Sequence, residues 1–144
     1  MTEPLITVDA VIEADPSQVW MVLTQSPSAM FMGANVVSDW QEGSPINISG
    51  EFHGKEFHDH GEIRAAEPAE HLAFTHFSGS QQENGNLVDV RLEPQGERTQ
   101  VTLSQTPQGG ERPDDAKVAE FRKNWEAMLG LLKTAAEQKA LAEA

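Results

Sequence analysis

Apolar and polar residues alternate from Leu5 to Ala14. Ile6, Val8, Ala10 and Ile12 share one parity, Thr7, Asp9 and Glu13 take the other, and Val11 is the exception. A period of two is that of a half-buried strand. Asp15-Pro16 then reads as a helix start: the carboxylate accepts the unpaired N–H groups of the first turn, and proline suits the first helical position. Val19, Trp20, Val22 and Leu23 give this short helix an apolar face. Ser26-Pro27-Ser28 breaks it, and a second short helical turn is expected at Ala29–Met32. Beyond Ala34 the pattern returns to strands. The first runs from Asn35 to Trp40. Ile46, Ile48, Gly50 and Phe52 share the inner face of the second, and a third covers Phe57 to Ala66. Leu72, Phe74 and His76 alternate with Ala73, Thr75 and Phe77; Val88, Val90 and Leu92 alternate with Asp89 and Arg91; Val101 and Leu103 alternate with Thr102 and Ser104. Turn-forming residues separate them at Gln41–Pro45, Gly54-Lys55, Glu67–Glu70, Ser78–Asn86 and Pro94–Arg98. About seven strands at hairpin spacing predict an antiparallel meander.

The period changes once more after a loop at Thr106–Pro113 that holds Gly109 and Gly110. From about Asp114, Val118, Phe121, Trp125, Met128, Leu129, Leu132 and Ala136 recur at three- and four-residue steps, the stripe of one long helix. Lys117, Glu120, Arg122, Lys123, Glu126 and Lys133 occupy the opposite side. The fold class is therefore α+β, with residues 1–144 as a single domain. A seven-stranded apolar face is too wide for one straight helix to cover, so the sheet must curl around it, with Gly50 and Gly61 as bending points. Curling leaves a space between the layers, and such spaces hold small molecules at about 300–1,000 Å³. The expected lining is Phe31, Trp40, Ile48, Phe52, Phe74, His76, Val90 and Leu103, facing Trp125, Met128 and Leu132 on the helix.

Composition narrows the function classes. The 144 residues contain no cysteine, which excludes disulfides, thiol nucleophiles and thiolate metal sites. The net charge is −13, from 23 acidic and 10 basic residues, and the basic ones are scattered. Such a surface repels phosphate backbones, so neither nucleic acid nor an anionic membrane is an expected partner. No apolar run approaches the roughly 18 residues of a membrane span. Met1-Thr2-Glu3-Pro4 lacks the basic and apolar regions of a signal peptide, which points to the cytoplasm.

The order strand, two short helices, six strands and a long helix resembles the START-like (SRPBCC) superfamily. Its helix-grip fold is shared with plant pollen allergens and polyketide cyclases. Within it the chain is similar to bacterial proteins related to the activator of the heat-shock-protein-90 ATPase. The residues that carry the resemblance span about 130 positions: Asp15-Pro16-Ser17-Gln18-Val19-Trp20 with Leu23-Thr24, then Ser38-Asp39-Trp40 with Gly43-Ser44-Pro45-Ile46. Gly50, Gly54-Lys55, Gly61-Glu62-Ile63 and Glu67-Pro68 follow, then Leu72-Ala73-Phe74-Thr75-His76, and Asn124-Trp125 with Leu129, Leu132 and Lys133 closes the pattern. Where many relatives carry a tryptophan after the first helix, this chain has Met30-Phe31-Met32, a softer lining. The resemblance implies an apolar ligand cavity or a chaperone-associated interaction role, and no shared catalytic set.

The candidate chemistry is sparse. His58 and His60 are two apart, on the parity opposite to Phe57 and Ile63, so a solvated outer face is expected beside the alternative of a metal site. His53 and His71 are expected to be exposed. His76 shares the parity of Leu72 and Phe74 and points inward, as a core histidine, a polar anchor or an acid–base group. Asp59 has inward parity if its strand is regular there; a bulge would turn it out. No phosphate loop, nucleophile elbow or dinucleotide fingerprint is present. The leading expectation is non-enzymatic binding of a small apolar molecule, with no cofactor and no metal. The alternatives are a chaperone-associated module and a cyclase- or hydrolase-like enzyme using His76.

Overall fold

A computed structural model describes residues 3–52, 54–78, 85–109 and 112–144, with Phe52 described by its backbone alone. His53, most of the polar tip before Asn86, Gly110 and the Phe52 side chain therefore lie outside the described residues. Strand β1 (Ile6–Ile12) leads into helix α1 (Pro16–Gln25) and a 3-10 turn at Pro27–Ala29. Strands β2 (Asn35–Val37), β3 (Pro45–Phe52), β4 (Lys55–Glu67), β5 (His71–His76), β6 (Asn86–Gln95) and β7 (Arg98–Pro107) follow, and helix α2 (Asp115–Ala142) completes the chain. All seven strands join one antiparallel sheet in the order β1-β7-β6-β5-β4-β3-β2. This is the expected helix-grip arrangement.

Local chemistry sets the helix starts. Asp15 Oδ1 accepts the Gln18 amide at 2.9 Å while Gln18 Oε1 accepts the Asp15 amide, a reciprocal cap. Asp114 caps α2 by accepting from the Lys117 amide at 2.8 Å. The second helical turn begins at Pro27, two residues earlier than expected, because Pro27 takes the first position of a new turn instead of only ending the old one.

Strand β2 is shorter than the alternation suggests. It pairs with β3 only through Val37, and the Ser38 hydroxyl then accepts the Trp40 amide at 3.1 Å. That local bond turns the chain, and Trp40 adopts a left-handed φ of 59°.

The bend of the sheet is built into β4. Its first half pairs with β3, from Glu62 opposite Pro45 to Lys55 opposite Phe52, and its last residues pair with β5. A register shift lies between Ile63 and Ala65. At Gly61 the two backbones come so close that a Cβ would lie 1.6 Å from the Thr75 carbonyl oxygen, a spacing only glycine permits. The buried Thr75 hydroxyl accepts the Glu62 amide at 2.9 Å, in place of a regular ladder bond. Gly50 lies opposite Phe57, whose ring would be 3.2 Å from a Cβ there, so the ring packs over the bare backbone.

Helix α2 grips the sheet unevenly. Leu129, Leu132 and Ala136 are buried, whereas Val118, Phe121, Trp125 and Met128 on the same stripe are only half-buried. The helix also closes the outer edge of β1. Arg122 donates to the Thr7 carbonyl at 3.1 Å, Lys133 donates to that of Val11 at 3.2 Å, and Glu137 accepts the Glu13 amide at 2.9 Å. These bonds occupy backbone groups that would otherwise template strand addition.

Candidate functional site

The half-buried N-terminal part of α2 stands over a cavity of about 740 Å³. The cavity floor comes from the concave face of the sheet. Ile48 lies opposite Asp59 in the β3–β4 ladder, His76 lies opposite Asn86 in β5–β6, and Val88 links Phe74 to Gln105. Phe121, Asn124, Trp125 and Met128 hang from α2 at three- and four-residue spacing and form the roof. Phe31, Met32 and Ala34 close one side from the segment between α1 and β2. The Phe31 and Phe74 rings meet with centroids 6.3 Å apart and planes inclined by 52°, an orientation aromatic pairs favour. Exposed residues, among them Met32, Glu56, His58 and Ser78, mark the mouth.

Two polar pairs organise the interior. The Trp125 indole donates to Gln105 Oε1, joining roof to floor. Gln105 is nearly fully buried, so the bond satisfies a side chain that would otherwise be costly to desolvate. The second pair is His76 with Asp59. The β3–β4 ladder is regular from Lys55 to Glu62, so Asp59 keeps its inward parity; the bulge lies further on. His76 Nε2 is 2.9 Å from Asp59 Oδ2. A carboxylate only accepts, so the bond places the hydrogen on Nε2 and holds the ring in one orientation. The side chains are 29% and 18% exposed, partly withdrawn from water but reachable from the cavity.

Of the residues singled out in the sequence, Phe31, Ile48, Phe74, His76, Trp125 and Met128 line the cavity. Val90, Leu103 and Leu132 do not. They are 1%, 0% and 0% exposed and form solid core, because α1 and the second half of α2 fill the space over that part of the sheet. Trp40 also lies off the cavity, half-buried against the core, because its turn carries it away from the strand face. Met30 is core rather than a pliable liner. The sequence reading omits Asn86, Gln105, Phe121 and Asn124. Asn86 has the parity of Val88 and Val90, Gln105 that of Val101 and Leu103, and Phe121 and Asn124 precede Met128 on the helical stripe. Parity marked these positions; their polarity or rank in the stripe hid them.

Of the other described histidines, His58 is exposed, whereas His60 and His71 are half-buried. His60 stacks on Phe77 at 5.5 Å, and His71 bonds Asp89 at 2.7 Å on the convex face with Glu67 at 3.6 Å. Among the described residues no group of three or more His, Asp and Glu could hold a metal ion, and no helix is long and apolar enough to cross a membrane. A second hollow of about 760 Å³ lies between Glu3–Leu5 and the loop before α2, but among the described residues it has no aromatic wall.

Residues 13–137 match the family described as Activator of Hsp90 ATPase homolog 1-like protein. No curated protein sequence matches the chain. Among solved structures, the chain is similar to ChR145 from Cytophaga hutchinsonii, with 29% identity and a TM-score of 0.76, covering 100% of this chain and 99% of that one. The Aha1 dimer from Colwellia psychrerythraea is 21% identical at a TM-score of 0.71, covering 92% and 95%. DynU16, from the dynemicin biosynthetic locus, is 20% identical at a TM-score of 0.75; the similarity covers 94% of this chain and 48% of DynU16.

Proposed function

The chain belongs to the family of Activator of Hsp90 ATPase homolog 1-like proteins, and from that premise we propose that it binds a small, largely apolar molecule without transforming it. The observation that carries this reading is the cavity of about 740 Å³. Its volume falls in the range of small-molecule sites, and a few convergent polar groups within apolar walls are what such sites use to orient a ligand. Phe31, Phe74, Trp125 and Met128 supply the apolar contact and His76 the polar anchor. Burial of apolar ligand surface contributes roughly 25 cal/mol per Å². The test is a heteronuclear NMR screen of the labelled protein against small aromatic and aliphatic compounds. Shifts confined to cavity residues, including the Trp125 indole N–H, are the expected result. A library that moves none of them removes the proposal.

The His76–Asp59 pair favours a second reading, acid–base chemistry on a bound molecule, since an imidazole oriented by a carboxylate is a common proton-transfer unit. Compounds that bind would then change on prolonged incubation, and the change would stop in His76→Ala. The chaperone-associated reading draws on the family description. The large exposed apolar residues among those described, Val11, Met32, Val37, Leu131 and Leu141, are distributed over several elements. An affinity pull-down that recovers a chaperone would favour that reading over ligand binding alone.

A further inference from the structure

The cavity carries a charge preference as well as an apolar wall. Two carboxylates, Asp59 inside and Glu56 at the mouth, are among its lining residues, and none of the ten lysines and arginines is. All ten lie within the described residues, so the assignment covers every lysine and arginine of the chain. Most have partners elsewhere. Arg64, Arg91, Arg98 and Arg112 pair with Glu62, Asp89, Glu13 and Asp115. Lys133 and Lys139 pair with Glu137 and Glu143 along α2, and Arg122 donates to the Thr7 carbonyl at the sheet edge. Lys117 touches one lining residue from outside the lining: its ammonium lies 5.4 Å from the centroid of the Phe121 ring and faces Glu120.

An anionic ligand head would therefore meet carboxylates and no lysine or guanidinium; the basic side chains among the described lining residues are the imidazoles of His58 and His76, and His76 is already engaged with Asp59. Like charges at short range in a partly desolvated site repel more strongly than they do in water. A protonated amine meets the opposite situation. The Asp59 carboxylate, which also bonds His76, supplies the counter-charge, and the side-chain oxygens of Asn86 and Asn124 can accept the ammonium N–H groups. Aromatic faces stabilise cations further, and the cavity offers Phe31, Phe57, Phe74, Phe121 and Trp125.

Resting on the small-molecule reading above, we propose that the ligand class is an apolar or aromatic amine bound as its ammonium form, and that Asp59 selects it over carboxylate-bearing molecules such as fatty acids. Neutral alcohols of the same body bind between the two. The acidity of the whole chain works in the same direction at longer range by concentrating cations near its surface.

The test uses three probes with one body: 2-(2-naphthyl)ethylamine, 2-(2-naphthyl)ethanol and 2-naphthylacetate. Each is titrated at fixed pH into the full chain by calorimetry, with the Trp125 indole resonance as a site-specific check. The expected order is amine, alcohol, carboxylate, with the amine at least tenfold tighter than the carboxylate. In Asp59→Asn, which keeps shape and an acceptor oxygen, the amine should lose about tenfold while the alcohol changes less than twofold. A carboxylate that binds as tightly as the amine, or an Asp59→Asn protein with the parent amine-to-alcohol ratio, overturns the charge selection and leaves the cavity reading standing. If none of the three shifts Trp125, both readings fail together.

Discussion

Replacing Gly61 with alanine tests the account of how this sheet bends. The new methyl carbon would lie 1.6 Å from the Thr75 carbonyl oxygen and 2.6 Å from the carbonyl carbon, both backbone atoms. Real contacts of this kind do not fall below 3.0 Å, so β4 and β5 must separate by more than 1 Å. Three bonds sit at the same crossing: His60 N–H to Phe77 O at 3.0 Å, Phe77 N–H to His60 O at 2.7 Å, and Glu62 N–H to the Thr75 hydroxyl at 2.9 Å. Loss of two of them costs about 2 kcal/mol, and forced overpacking costs about 1–3 kcal/mol more. The sum, about 4 kcal/mol, is a large share of the roughly 5–15 kcal/mol that stabilises a domain. It should lower the melting temperature by about 8–16 °C. Thermal melts followed by circular dichroism measure it, with amide exchange at His60 and Phe77 as the local readout. Gly130→Ala is the control. Gly130 is exposed on α2 with nothing within 4 Å of the place a methyl group would take, so the same substitution should stabilise by about 0.5–1 kcal/mol. A Gly61→Ala protein that melts within about 3 °C of the parent would refute the close-approach argument. Because Asp59 and His76 flank this crossing, the variant should also lose the geometry of their bond.

Neighbouring residues on α2 should respond unequally to truncation. Leu132→Ala removes a fully buried side chain and should cost about 2–5 kcal/mol in urea unfolding, whereas Met128→Ala enlarges a space already open and should cost about 1 kcal/mol or less. Equal losses would mean that the cavity is closed in solution. Stability should also fall in acid for two identifiable reasons. The Ser17 hydroxyl and the Gln18 amide hold the Asp15 carboxyl below its ordinary range, and the Glu13 amide and Lys133 do the same for Glu137. Carboxyls depressed on folding stabilise fully above about pH 4, their unfolded range, and lose that contribution as pH falls through the folded value. Asp15 is exposed and Glu137 half-buried, so solvent screening keeps each effect small. Asp15→Ala should therefore destabilise at pH 7 and do so less at pH 2.5; an undiminished penalty at pH 2.5 would contradict the ionic contribution.

Much of the fold was legible from the chain. The two-residue alternation of Ile6, Val8, Ala10 and Ile12 and the three-to-four-residue spacing of Phe121, Trp125, Met128 and Leu132 each specify a face, because side-chain direction follows backbone period. Asp15 and Asp114 mark helix starts through bonds made within three residues, and Gly61 stands where the sheet needed to bend. Such features depend on near neighbours in sequence, so the sequence contains them. The end of β2 was not legible in that way: Trp40 continues the alternation, and only the Ser38 hydroxyl turning the chain removes it from the strand.

The site divides along the same line. The sequence alone established that His76 and, in a regular strand, Asp59 face inward, and that ten scattered cations oppose 23 carboxylates. Their meeting at 2.9 Å depends on a diagonal contact across β4 and β5, 17 residues apart in the chain, and so on a register that only the assembled ladder sets. Tertiary packing likewise decided which inward residues face empty space. Val90, Leu103 and Leu132 obey the same periodicities as Ile48, Phe74 and Met128, yet they are core because α1 and the far half of α2 lie over them. Periodicity assigns a side chain to a face; what covers that face is fixed by elements distant in sequence.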